Sequence, residues 1–163
     1  MIDPDSGVVE CVPPLTPERV IHCLAEAAAT LRRLPDESGC GSWLMWPAAI
    51  RTWVFAERSA DQDCVKHRLA ERQAPDAVSH MEEAVLWLNW LEPNDLLLVW
   101  DKALGLPWKG IALRHDVTVR TAQRRWQYAV HLIVWRLHCR PVPKAWSRGF
   151  LIERVIALSR GKS

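Results

Sequence analysis

Residues 92–137 read EPNDLLLVWDKALGLPWKGIALRHDVTVRTAQRRWQYAVHLIVWRL, and this stretch decides the predicted fold. Its apolar residues recur every three or four positions, which predicts helices interrupted at residues 105–107 (GLP) and 115–117 (HDV). We expect one helix to end near Leu104, a short helix between the two breaks, and a long helix opening at Thr118. Two helices joined by a tight turn, the second rich in exposed cations, are typical of a helix-turn-helix.

The long helix is predicted to have two distinct faces. Its buried face consists of apolar residues at helical spacing, namely Val119, Ala122, Trp126, Ala129, Ile133 and Leu137. Its outward face consists of polar and basic residues, namely Arg120, Thr121, Gln123, Arg124 and Gln127. Thr118 is a good N-cap, and the free backbone N–H groups behind such a cap suit a phosphate.

The outward side chains of this region are the candidate DNA contacts. Arg pairs bidentately with guanine and Gln with adenine, so Arg120, Gln123 and Arg124 are the predicted base readers. Three further cations are predicted to contact phosphates, which fix the orientation of a protein on DNA, namely Lys109, Arg114 and Arg125. The sequence leaves a second role open for Arg125, as a structural residue packed along a tryptophan.

The charge of the chain is unevenly distributed. Residues 1–100 contain 8 Lys and Arg against 16 Asp and Glu, a net charge of −8. Residues 101–163 contain 13 against 3, a net charge of +10, and the two parts together give the overall +2. Because like charges repel, a basic segment of this density indicates an anionic partner, and double-stranded DNA fits it.

Length and composition predict a small globular protein without a membrane span. The chain has 163 residues, of which 49% are hydrophobic and 25% charged. It contains no run of about 18 apolar residues, and its acidic N-terminus lacks the features of a secretory signal. Five scattered cysteines without C-x-x-C spacing favour reduced thiols in a cytoplasmic protein. We therefore expect no metal site and no cofactor.

An enzyme is the weakest hypothesis. The acids of residues 101–163 are limited to Asp101, Asp116 and Glu153. The sequence has no Ser/His/Asp set, no Gly-rich phosphate loop and no paired carboxylates at catalytic spacing. A role in binding therefore fits the sequence better than a role in catalysis.

The other segments also predict helices, over residues 17–34, 47–58, 76–91 and 147–158. We therefore predict an all-α fold, a helical bundle with a C-terminal helix-turn-helix. Three regions follow from the charge and the breaks: an acidic helical region with a linker (1–75), the DNA-binding region (76–140) and a basic amphipathic tail (141–163). The tail is expected to dock on the bundle, to mediate oligomerisation or to contact phosphates.

Residues 106–129 resemble the helix-turn-helix of sigma factor region 4. The matching positions are Ile111-Ala112, Val117-Thr118, Arg120-Thr121 and Arg124-Arg125. More broadly, residues 17–137 are similar to an uncharacterised family of small phage and prophage proteins. The shared motifs are LRRLP (31–35), WP (46–47), WLNWLEP (87–93) and GLPWKGIA (105–112). The first resemblance implies DNA binding, and the second implies no activity.

Three positions depart from the sigma-like pattern. Asp116 stands where glycine is usual in the turn, so we expect it to adopt a left-handed conformation, which Asp tolerates at some cost. His115 stands where an apolar residue is expected. Gly110 lies inside the short helix, which weakens it. These departures predict a motif that is less rigid than its relatives.

The leading hypothesis is sequence-specific binding of double-stranded DNA by a transcriptional regulator of the phage or prophage type. Two alternatives stay open. One is the DNA-recognition subunit of a small terminase-like packaging assembly, in which residues 147–158 mediate oligomerisation. The other is a protein interaction module that keeps the helix-turn-helix but has lost DNA binding. The expected partner is double-stranded DNA, with a second copy of the chain or the transcription machinery as further partners. We expect no association with a membrane.

Overall fold

The computed structural model describes residues 15–33, 45–60, 75–138 and 140–160. Within these ranges the chain forms helices and no β-strand, which confirms the all-α fold. The seven α-helices are α1 (Pro17–Arg33), α2 (Ala48–Ala60), α3 (Pro75–Trp87), α4 (Pro93–Ala103), α5 (Trp108–Arg114), α6 (Val119–Leu137) and α7 (Arg148–Arg160). Every helix in the described ranges falls short of the length or the apolarity that crossing a membrane requires.

Helix α1 follows directly from its sequence. Thr16 precedes it, and the Thr16 Oγ1 atom accepts a hydrogen bond from the Arg19 N–H at 3.3 Å. Pro17 occupies the first position, where no backbone donor is needed. Five of its apolar residues, spaced three or four positions apart or adjacent on one side, are all buried, namely Val20, Leu24, Ala27, Ala28 and Leu31. The predicted period of the helix is thereby confirmed.

The end of α3 differs from the prediction. The helix was expected to continue to Leu91, but a 3-10 turn over residues 88–90 replaces its last turn. Pro93 disfavours helical backbone at the residue before it, and Glu92 has φ −65° and ψ 149°, so the helical backbone ends before that residue. The linker predicted over residues 59–75, between the second and third predicted helices, is also shorter at its start, since residues 59–60 belong to α2. Residues 34–44, where the PDESGCGS sequence (35–42) predicts a loop, and residues 61–74, which contain most of that linker, lie outside the described residues.

One hydrophobic core joins all the described helices except α5. It includes buried residues of α1, α2, α3, α4, α6 and α7. Helix α1 packs mainly against α3, and α6 packs against α7, α4 and α5. Described residues of all three predicted regions (1–75, 76–140 and 141–163) therefore contribute to a single core.

Three tryptophans between residues 87 and 135 are buried in this core. Trp100 is completely buried, and its ring meets the ring of Trp53 edge-on with 5.6 Å between centroids. Trp87 and Trp135 are also buried, whereas Trp90 is 38% exposed. Such aromatic pairs add to the free energy gained by burial alone.

Helix α7 docks on the bundle. Its residues Leu151 and Val155 are buried in the shared core, and α6 is the helix it mainly contacts. Docking was one of the three roles expected for the tail. It places Arg148, at the start of α7, beside Tyr128 of α6.

Candidate nucleic-acid interface

The α5–turn–α6 unit, residues 108–137, is entered and divided by two turns of the same kind. After α4, Leu106 N–H bonds to Asp101 O at 3.2 Å and Gly105 N–H to Lys102 O at 3.0 Å. After α5, Val117 N–H bonds to Ala112 O at 3.0 Å, and the following inner bond from residue 116 to residue 113 is 3.4 Å long. Both patterns are Schellman motifs, which end a helix with one residue in the left-handed conformation.

The left-handed residue differs between the two turns. It is Gly105, with φ 86°, in the first turn and Asp116, with φ 50°, in the second. The sequence predicted this conformation for Asp116. A side chain makes it unfavourable by roughly 1–2 kcal/mol per residue, although aspartate tolerates it better than most residues.

Replacing Asp116 with glycine is therefore expected to stabilise the protein by up to about 1 kcal/mol, because glycine is free of that steric cost but loses more entropy on folding. Urea unfolding measures the change. Asp116→Ala is the control and is expected to be less stable than the wild type, since alanine lacks the polar side chain that helps in this conformation. A glycine variant less stable than the wild type would contradict the prediction.

A small hydrophobic cluster lies beneath the two turns. Leu98, Ile111 and Ala122 are fully buried in it, one each from α4, α5 and α6. Leu106 and Val117, the residues after the two left-handed positions, pack against it. This hydrophobic contact commonly accompanies a Schellman motif, and here it fixes the angle at which α5 enters α6.

Helix α6 begins at the predicted N-cap. The Thr118 Oγ1 atom accepts a hydrogen bond from the Thr121 N–H at 3.1 Å and lies 2.9 Å from the Thr121 hydroxyl oxygen. Thr118 has φ −72° and ψ 154°, the extended backbone usual for a cap. The two threonines therefore define the first turn of the outward face.

Most of the predicted contact residues lie on the solvent-exposed surface of α5 and α6. Those exposed to solvent are Lys109, Arg114, Thr118, Arg120, Thr121, Gln123, Arg124 and Gln127. Arg120 and Arg124 are four residues apart on α6 and therefore lie on one side of it. Among the described residues neither has an ion-pair partner. Their guanidinium groups are free to bind an anion.

Arg125 points away from this surface. Its Nε atom lies 2.7 Å and its Nη2 atom 2.6 Å from the same carboxylate oxygen of Asp95, on α4. The Asp95 side chain is 4% exposed and the Arg125 side chain 21%. Arg125 is about 100° around the helix from Arg124, which turns it towards α4. This geometry favours a structural role for Arg125, as the partner of a buried carboxylate, over the predicted phosphate contact.

A second buried carboxylate holds the turn between α5 and α6. The Asp101 side chain is 5% exposed and has one oxygen 2.9 Å from Arg114 Nη1 and the other 2.9 Å from His115 Nε2. His115, the polar residue at the apolar position of the motif, is thus paired with Asp101, and the His115 side chain is 11% exposed. Arg114 keeps 56% of its side chain exposed, so it anchors the turn while its outer edge faces solvent.

A cleft of about 360 Å³ separates the start of α1 from α6. Gln123 and Gln127 line it from α6, with the half-buried rings of Trp108 and Trp126 at its base, and Glu18 lines it from α1. The two glutamines therefore lie at the border between the cleft and the outward face. Arg120 and Arg124 are the cations that lie within that face.

The opposite border of the face is formed by α7 and the segment before it. The guanidinium carbon of Arg148 lies 4.9 Å from the ring centroid of Tyr128, and that of Arg140 lies 5.2 Å from the ring centroid of Trp135. Neither arginine was singled out from the sequence. Their spacing from α6 along the chain carries no signal, because the contacts depend on how α7 folds back.

Asp95 and Asp101 were also not singled out as supports of the site. A signal for Asp101 existed, since it is one of three acids in the basic part of the chain. Within the described ranges, no three His, Cys, Asp or Glu side chains come together as metal ligands would.

Comparison with curated proteins and with solved structures gave no match. Residues 32–133 match a protein family, and this range runs from the end of α1 to the second half of α6. It contains α4, both turns, α5 and α6 up to residue 133, with Asp95, Asp101 and the outward face of α6, and it excludes α7. The match covers well over half of the chain, which therefore belongs to the family described as a domain of unknown function, DUF6362.

Proposed function

We propose that the protein binds double-stranded DNA in a sequence-specific manner, with α5 and α6 acting as a helix-turn-helix. The observation that carries the proposal is the exposed pair Arg120 and Arg124 on the first two turns of α6. Early residues of a recognition helix are the ones that reach base edges in the major groove. Both guanidinium groups lack an ion-pair partner among the described residues.

The surroundings of this pair support the same function. Thr118 and Thr121 are exposed at the first turn of α6, where hydroxyl groups and free N–H groups suit a phosphate. Lys109 and Arg114 are exposed on α5, the helix that crosses the DNA backbone in such motifs. The net charge of +10 in residues 101–163 favours association with DNA at any sequence.

Gln123 and Gln127 have a more limited role in the proposal. Both are exposed, but they line the cleft next to α1. They lie at one edge of the outward face, so we propose that they read bases at the border of the recognised site. Arg120, Thr121 and Arg124 occupy its centre.

The proposed role is that of a transcriptional regulator of the phage or prophage type. A packaging subunit is less well supported, because it needs the apolar face of α7 for assembly with other subunits. Leu151 and Val155, the centre of that face, are buried against the bundle. An interaction module is the second candidate, favoured by Leu113, a large apolar residue of α5 that is 86% exposed.

Arg124→Ala is expected to weaken binding to the preferred duplex about tenfold to a hundredfold and to relax the preference at one base pair. The reason is that one bidentate contact to a base contributes roughly 1–3 kcal/mol of discrimination. The preferred duplex is first selected with the wild-type protein from a pool of random duplexes, and the dissociation constants are then measured by titration at fixed salt.

Arg136→Ala is the matched control, because Arg136 is exposed on the same helix and its replacement removes the same charge. It is 12 residues further along α6 and about 120° around it, away from the proposed base contacts. Equal losses in both variants would mean that α6 contributes only net charge. Absence of any binding by the wild type at low salt would favour the interaction module.

A further inference from the structure

We propose that Arg140 and Arg148 form a second phosphate-binding element, which extends the DNA-binding face of α6 beyond the helix-turn-helix. This inference rests on the proposed function and names a further part of the chain that takes part in it. Both arginines lie outside residues 32–133, so the element is an addition to the part of the chain that matches the family. We call Arg140 and Arg148 the flanking pair.

The flanking pair continues a row of cations along one side of α6. Arg124, Tyr128 and Trp135 lie at positions i, i+4 and i+11 of the helix, which places them on the same side. Arg148 lies over the Tyr128 ring at 4.9 Å, and Arg140 lies over the Trp135 ring at 5.2 Å. The row therefore begins with Arg124 of α6 itself and continues with two arginines that come from other parts of the chain.

The backbone that carries the flanking pair is held firmly against α6. The indole Nε1 of Trp135 donates a hydrogen bond to Pro141 O at 3.1 Å. The ring centroid of Trp146 lies 5.1 Å from that of Trp135 and 4.8 Å from that of Phe150. These contacts fix the segment between α6 and α7, so the position of the two arginines is built into the fold.

The way in which the flanking pair is held leaves its anion-binding groups free. A guanidinium stacked on an aromatic ring uses its flat face, whereas its N–H donors point outward in the plane and bind phosphate bidentately. Arg140 and Arg148 are both exposed and have no carboxylate partner among the described residues. Stacking also restricts the side chains before binding, which reduces the entropy lost in the complex.

The length of the row matches a contact with the DNA backbone rather than with bases. Arg124 and Trp135 are 11 residues apart, which is about 16 Å along the helix axis. The major groove is about 12 Å wide, so cations at the far end of the row lie beyond the base edges, at the bordering phosphates. The other border of the face carries Glu18, which repels phosphate, and the DNA is therefore expected to extend towards α7.

The test compares two double variants that remove equal charge from the full-length protein. In Arg140→Gln with Arg148→Gln the flanking pair is neutralised. In Arg154→Gln with Arg160→Gln two other exposed cations of α7 are neutralised, each about 120° around that helix from Arg148. Binding to the duplex selected by the wild type and to a random duplex is measured across a series of salt concentrations, after thermal unfolding has verified that each variant is folded.

The plot of log K against log salt has a negative slope, and each lost phosphate contact reduces the magnitude of that slope by about 0.9. Neutralising the flanking pair is expected to reduce the magnitude of that slope by roughly 2 on both duplexes. The Arg154/Arg160 variant is expected to keep the wild-type slope. Replacing the pair with lysines, which keeps the charge, should restore the slope.

Two results would overturn the inference while the proposed function stands. One is an unchanged slope for the flanking-pair variant on DNA that the wild type binds, and the other is an equal loss in the Arg154/Arg160 variant. If the wild type binds no duplex at low salt, the proposed function fails and the inference fails with it.

Discussion

Replacing Asp95 with alanine is expected to lower the free energy of unfolding by about 3 kcal/mol, because it leaves the guanidinium of Arg125 without its carboxylate. The Asp95 side chain is 4% exposed, and both donor atoms of Arg125 lie within 2.7 Å of one of its oxygens. A charge that loses its partner at such a site keeps the cost of desolvation and loses the attraction that offset it. The ion pair joins α4 to α6, so its loss also weakens the support of the proposed interface.

Urea unfolding of the single and double variants measures this effect. Asp95→Leu combined with Arg125→Met removes both charges and keeps apolar volume, and it is expected to be nearly as stable as the wild type. Arg125→Ala alone should lower stability but leave the salt dependence of any DNA binding unchanged, because the Arg125 guanidinium is held by Asp95. A loss below about 1 kcal/mol for Asp95→Ala would place the pair among weak surface ion pairs.

Replacing Trp100 with alanine is expected to destabilise the protein by about 4 kcal/mol, since deleting a large buried aromatic side chain costs about 3–5 kcal/mol in a core that cannot collapse around the space. Trp100 has no exposed surface and contacts Trp53 edge-on. It belongs to the core that six helices share, and it follows Leu98 of the small cluster by two residues. Its loss therefore affects both the bundle and the base of the α5–turn–α6 unit.

Trp100→Phe separates volume from polarity at this site. The indole Nε1 of Trp100 is buried and has no acceptor among the described residues. Phenylalanine removes that donor while keeping most of the ring, so we expect a loss of only about 1 kcal/mol. Trp90→Ala is the control for the same substitution at a side chain that is 38% exposed, and it should cost much less than Trp100→Ala. A Phe variant as unstable as the Ala variant would falsify the assignment of the cost to lost volume.

The helices of this protein could be predicted from local signals. The period of apolar residues gave the inner faces of α1 and α6, because a helix must bury one stripe of side chains. Thr118 was recognisable as the N-cap of α6, and the cap hydrogen bond to the Thr121 N–H is present. Asp116 was placed in the left-handed position of the turn, since the motif requires such a residue there, and its φ is 50°.

The candidate site could be predicted only in part. Periodicity turns Arg120 and Arg124 outward, and both are exposed. The same periodicity leaves Arg125 at the border between the two faces, and only the buried carboxylate of Asp95 decided that it turns inward. Likewise, Gln123 and Gln127 were assigned to the outward face, but the start of α1 packs close enough to make them the wall of a cleft.

The sequence by itself determined the all-α fold, the position of the turns and the concentration of positive charge in residues 101–163. These properties depend on neighbours within a few residues, so they can be read along the chain. Only the tertiary structure decided which cations are free. Asp95 pairs with Arg125, and Asp101 pairs with Arg114 and His115. The docking of α7 places Arg148 over the ring of Tyr128. Charge pairing and stacking depend on distances between segments that are far apart in the chain, and those distances are set by the packing of the shared core.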